Sequence, residues 1–165
     1  MRLKIGFIAT SVVVLLGVAA TAPIAAAAPD TDACLLVTQA KLSAVLGVSI
    51  GAGAHTTPTY VKTCTWAPSG GGTKTLKAVT LNLESSDRYE AGKNLMEQMQ
   101  AKNTTFTQAS GIGDDAYYMS FGNNITNLMV KKGKVSFKLA MYGETAPEKA
   151  MALEKALALE IVGKL

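Results

Sequence analysis

Reactive side chains are scarce in this chain. It holds two cysteines, one histidine and one tryptophan in 165 residues, and Phe, Trp and Tyr together make up 6%. The single histidine, His55, restricts the available chemistry. A zinc site needs several Cys, His or carboxylate ligands. A Ser-His-Asp arrangement would have to use His55, and no G-x-S-x-G elbow accompanies it. His55, in a Gly/Thr-rich stretch, therefore reads as a loop residue without a role. Charge is sparse as well, with 16 Lys+Arg against 12 Asp+Glu. The one dense cationic group, Lys131-Lys132-Gly133-Lys134, reads as a hairpin turn. Phosphate backbones are held by cations clustered on one face, so nucleic acid is not an expected partner. Past Ala28 no apolar run approaches a membrane span, and the mature chain is not expected to cross a bilayer.

What is present begins with an export signature. Met1-Arg2-Leu3-Lys4 is a short cationic start, Ile5 to Val18 is nearly all apolar, and small residues follow through Ala28. Charge, apolar core and small-residue end, in that order, describe a secretory signal peptide. Ala25 and Ala27 fit the A-x-A rule, which places cleavage after Ala27. Residues 1–27 are then the signal and residues 28–165 a single domain. The competing reading is an uncleaved anchor over Ile5 to Ala28, and the alanine-rich, turn-prone end argues against it. Loss of Arg2 and Lys4 from the 16 cationic residues leaves 14 against 12 acidic ones, a net charge of +2. The expected localisation is secreted or periplasmic, in a bacterium.

Export gives Cys34 and Cys64 their meaning. Redox pairs stand close in sequence, typically as C-x-x-C; these are 30 positions apart. In an oxidising compartment the two read as a structural disulfide, joining the start of the first helix to the second strand beside Trp66.

Periodicity supplies the elements. Thr38 is a suitable N-cap for a helix over 39–46, which Gly47 ends. Strands are expected over 48–55 and 60–66, and again over 77–84, where Val79, Leu81 and Leu83 alternate with polar residues. Asp87 and Glu90 form a capping-box variant opening a helix to about Lys102, with Leu95, Met96 and Met99 facing inward. Strand-like segments follow at 106–110, 116–120, 125–130 and 134–142. Thr145 and Glu148 suggest another capping box, with Pro147 near the first helical position and Leu153, Leu157, Ile161 and Leu165 as the apolar stripe. The expected fold class is α+β: an antiparallel sheet of about six strands with three helices, in the order αβββαβββα, the helices packed on one face.

Candidate functional residues are few. Adjacent Asp114 and Asp115 follow Gly111-Ile112-Gly113 and precede Tyr117 and Tyr118. Neighbouring carboxylates can raise each other's pKa or hold a cation, but a calcium loop needs more oxygen ligands than two. The string reads first as a glycine-dependent turn sending two tyrosines to opposite sides of a strand. An exposed aromatic patch drawn from Tyr60, Trp66, Tyr117 and Tyr118 would mark an interaction surface. The methionines, at core-facing spacing, read as ordinary core rather than an apolar groove.

Cys34-Leu35-Leu36-Val37-Thr38, Val45-Leu46-Gly47, Cys64-Thr65-Trp66, the Gly111–Tyr118 string and the Lys131-Lys132-Gly133 hairpin occur in an order that resembles a family of small bacterial exported or lipid-anchored proteins. That resemblance spans nearly the whole mature chain. It implies a paired cysteine and an α+β fold, and supplies no catalytic residues. The chain departs from the lipid-anchored members in lacking a lipidation cysteine. The doubled helix-plus-sheet pattern also looks like the β-lactamase inhibitory proteins and, more loosely, PsbP-like folds. The expected function is a non-catalytic binding or interaction module with no cofactor and no metal, its partner a protein or a small molecule. The alternatives are an inhibitor of an extracellular enzyme, presenting residues 53–60 and 70–75, and a binder of small apolar ligands.

Overall fold

Strict alternation at Val79, Leu81 and Leu83 yields an interior strand of the sheet. A computed structural model of the chain describes residues 31–71, 75–99, 104–122, 125–143 and 145–165. The expected signal segment lies outside the described residues. In chain order the elements are α1 (Ala33–Leu36), α2 (Gln39–Leu46), β1 (Ala54–His55), β2 (Thr63–Trp66), β3 (Ala78–Ser85), α3 (Ser86–Met99), β4 (Thr104–Ala109), β5 (Asp115–Phe121), β6 (Ile125–Lys132), β7 (Val135–Tyr142) and α4 (Pro147–Val162). The strands form one antiparallel sheet in the order β1-β2-β3-β7-β6-β5-β4. β3 hands the chain to α3, which delivers it to β4 at the far edge. From there it meanders back until β7 pairs with β3 over eight residues, from Ala78↔Tyr142 to Ser85↔Val135.

The α+β class and the antiparallel sheet are as expected, and several details differ. Among the described residues there are seven strands and four helices, because α1 precedes α2 and the second half carries four strands. Of the strand expected over 48–55 only Ala54–His55 forms, with Ile50 bridging Pro68. Gly53 explains part of this. A Cβ there would collide with the Trp66 indole and the Cys64 sulfur, so the chain passes this spot only as bare backbone. α3 starts at Ser86, placing Asp87 inside its first turn. The Thr145 capping box does not form: α4 is preceded by Ala146 without a side-chain cap, and Thr145 Oγ1 donates to the Thr75 carbonyl at 2.6 Å instead.

The helices also lie on both faces, not one. Consecutive residues of a strand point to opposite sides, and β5 shows both. Tyr118 donates its hydroxyl to the Met151 carbonyl of α4 at 3.1 Å. Tyr117, one residue earlier, packs against Tyr89 of α3 with ring centroids 5.3 Å apart. The larger core lies on the first face, where Leu36, Leu42, Leu157 and Ile161 from α1, α2 and α4 meet Trp66, Leu81, Leu128, Phe137 and Leu139 from the sheet. The second face carries a smaller cluster of Tyr89, Tyr117, Met119 and Met129, with Met96 and Phe106 against it.

Candidate functional site

The two cysteines are bonded, Cα to Cα 5.0 Å, and so join α1 to β2. Beside them lie Asp32 and His55, the latter expected to be a loop residue without a role. Asp32 N-caps α1, its Oδ1 accepting from the Cys34 N–H at 2.8 Å. The same oxygen accepts from His55 Nε2 at 2.8 Å. His55 is therefore not a loop bystander: it lies in β1 directly opposite Cys64. The His55 hydrogen bond holds the Asp32 carboxyl below the usual carboxylate range, against a smaller upward push from burial.

Asp114 and Asp115 do not act as a pair. Asp114 caps the β6–β7 hairpin, accepting from Gly133 N–H at 2.6 Å and Lys132 Nζ at 3.1 Å. Those bonds, the Gly133 amide first, keep its carboxyl below the ordinary range. Asp115 turns to the opposite partners, Lys93 Nζ at 2.7 Å and Gln108 Nε2 at 2.8 Å. Burial works to raise the Asp115 carboxyl, but these hydrogen bonds outweigh it and lower it. The turn itself depends on Gly113, at φ +60°, where a Cβ would strike the Lys131 carbonyl. Both carboxylates are ionised and committed to ion pairs at the same end of the sheet.

The expected aromatic patch is mostly core. Trp66 is 2% exposed, Tyr117 1% and Tyr118 8%; only Tyr60, at 48%, faces solvent. Tyr117 stacks on Phe106 at 4.8 Å, and burial drives its hydroxyl up to about 12. Met119, Met129 and Met141 are buried, in line with the core reading, and Met96 and Met151 are half-buried. The Met99 side chain lies outside what is described.

Like Asp32, a buried acid on α4 escaped sequence reasoning. Glu154 is completely buried on α4, in register with Ala150, Leu157, Ala158 and Ile161. Its Oε1 accepts from Thr126 Oγ1 at 3.0 Å, while Oε2 finds no hydrogen-bond partner among the described residues. Burial pushes its carboxyl up to about 8, only partly opposed by the Thr126 hydroxyl and the Met141 backbone. An acid inside an otherwise apolar helical stripe, with residues i−4, i+3, i+4 and i+7 all small or aliphatic, was the available signal.

Between the end of α2, the loop entering β3 and the first turns of α4 lies an open cleft of about 420 Å³. Leu46, Val48, Leu76, Met141 and Leu153 give it apolar walls, and Thr145 and Lys149 stand among its polar lining residues. Its volume falls within the range of small-molecule sites. Gly47, at the left-handed end of α2, helps set its rim. A second cleft, about 240 Å³, opens beside Lys62, Glu84 and Lys134 at the other end of β3. Compared with family models, with curated proteins and with solved structures, the chain matches none.

Proposed function

We propose that the mature chain is an exported, non-catalytic binding module, and that the cleft between α2 and α4 takes a small, mainly apolar ligand. The observation carrying this reading is the cleft itself, of ligand size, with Leu46, Val48, Leu76, Met141 and Leu153 as apolar wall beside the polar Thr75, Thr145 and Lys149. The engagement of Asp114 and Asp115 with lysines supports a binding rather than a hydrolytic role, because a general acid needs a carboxyl free to exchange a proton. Export is supported by the disulfide, which is compatible with an extracellular or periplasmic setting. Among the described residues no helix is long and apolar enough to cross a membrane. The inhibitor alternative is supported by the exposed Tyr60 at the end of the 53–60 stretch; of its second stretch, residues 72–74 lie outside the described residues. The proposed family resemblance agrees with a binding role and adds no residue to it.

Native mass spectrometry of the exported protein tests this reading. The expected result is a co-purifying small apolar molecule that is lost when Val48→Trp fills the cleft. A ligand-free spectrum from several growth conditions, or a ligand retained by Val48→Trp, would count against it.

A further inference from the structure

Oxidised, the Cys34–Cys64 pair is a staple; reduced, it uncovers a different kind of site. We propose that reduction of this disulfide opens a divalent-metal site of the zinc class, built from Asp32, Cys34 and His55. One ligand atom from each residue — a carboxylate oxygen, the sulfur and a ring nitrogen — lies within 4.8 Å of the other two. Two elements fix them, α1 supplying two ligands and β1 the third. Asp32 is held as the α1 cap, Cys34 in the first turn of α1, and His55 by the β1–β2 ladder. The Asp32 and His55 side chains keep about a quarter of their surface, 26% and 24%, so an ion has a way in from solvent.

The donor set matches a borderline-soft ion that accepts thiolate, imidazole and carboxylate together. Zinc bonds of about 2.0–2.3 Å bring tetrahedral ligands to roughly 3.3–3.8 Å of one another, so the side chains need move only about an ångström. In the oxidised chain the sulfur is spent in the disulfide and two ligands remain, too few for a stable site. The redox state of one bond therefore gates the third ligand.

The chemistry balances with an external dithiol as reductant. The dithiol gives two electrons and two protons to Cys34 and Cys64, leaving two thiols, and becomes a disulfide itself. The incoming ion then displaces the Cys34 thiol proton to solvent. It takes the place of the proton between His55 Nε2 and Asp32 Oδ1, and the imidazole carries its proton on Nδ1. Water completes the coordination.

Cys64→Ser frees Cys34 without any reductant and so tests the site directly. Titrated with Co²⁺ and then Zn²⁺, this variant should bind one ion per chain with a thiolate-to-cobalt charge-transfer band, and oxidised wild type should show none. Adding His55→Ala or Asp32→Asn to Cys64→Ser should weaken binding at least tenfold. Should Cys64→Ser not fold, the wild-type chain reduced with a phosphine undergoes the same titration, with circular dichroism following the fold. Absence of a thiolate-bound ion in both preparations overturns the proposal. So does binding that survives the loss of His55 and Asp32 undiminished.

Discussion

Glu154 makes the stability of the chain depend on pH in a definite direction. Its folded pKa, about 8, lies above the ordinary 4.5, so the folded state binds the proton more tightly than the unfolded chain. Its contribution is fully present below pH 4.5 and is lost as pH rises through 8. The penalty at alkaline pH is at most about 5 kcal/mol. Glu154→Gln keeps the shape without the charge. Its melting temperature should exceed that of wild type by several degrees at pH 9, with the gap closing by pH 4.5; a pH-independent gap would remove the buried carboxyl from this role. Gly113 carries the opposite kind of residue-scale constraint. With φ at +60° and the Lys131 carbonyl where a Cβ would be, Gly113→Ala should cost about 2–3 kcal/mol in denaturant unfolding. The glycine-dependent turn was legible in the sequence, as was the delivery of Tyr117 and Tyr118 to opposite faces. Asp32 was not: its cap on the Cys34 N–H is local, but His55 lies 23 positions away and meets it only once β1 is folded beside α1.

At the scale of elements, the lesson lies in β5 and β6. β3 alternates buried and half-buried along its length and was readable as a strand with one apolar face. β5 and β6 instead carry unbroken buried runs, Ala116 to Ser120 and Thr126 to Val130. Continuous apolar runs mean cover on both sides, and Ala116-Tyr117-Tyr118-Met119 and Leu128-Met129-Val130 contain that signal for α3 on the second face. The order of strand runs and helices, with the alternation of β3, favours cover on one face; β5 and β6 carry the contrary signal. Tyr117→Ala should therefore cost about 3 kcal/mol and speed amide exchange in α3 far more than in α4; equal acceleration of both helices would refute the two-faced arrangement. The disulfide works at this scale too. Closing a loop of 30 positions stabilises by roughly 3–4 kcal/mol in the chain-entropy picture. Reduction should lower the melting temperature and leave a folded chain, and an unshifted melt would argue against the staple.

For the whole molecule, the sheet separates two environments. One face is covered by α1, α2 and α4 over the main core, and the cleft opens between the end of α2 and the first turns of α4, with Met141 of β7 in its lining. The other face is partly covered by α3. Beyond the Tyr89–Tyr117 cluster it presents a polar ladder in which Thr63 donates to Asn82 at 2.6 Å and Thr65 pairs with Thr80 at 3.1 Å. The cleft was not legible in the sequence because its walls come from positions as distant as Leu46, Leu76, Met141 and Leu153. Each of these reads locally as ordinary core. Titration with a neutral naphthalene fluorophore tests the binding claim most directly, comparing wild type with Val48→Trp in the cleft and Leu35→Trp on the exposed side of α1, where Leu35 is 76% exposed. The account predicts saturable one-to-one binding, at least tenfold weaker in Val48→Trp and unchanged in Leu35→Trp, with all three proteins equally folded by circular dichroism. No saturable binding, or equal affinity in all three, would contradict it.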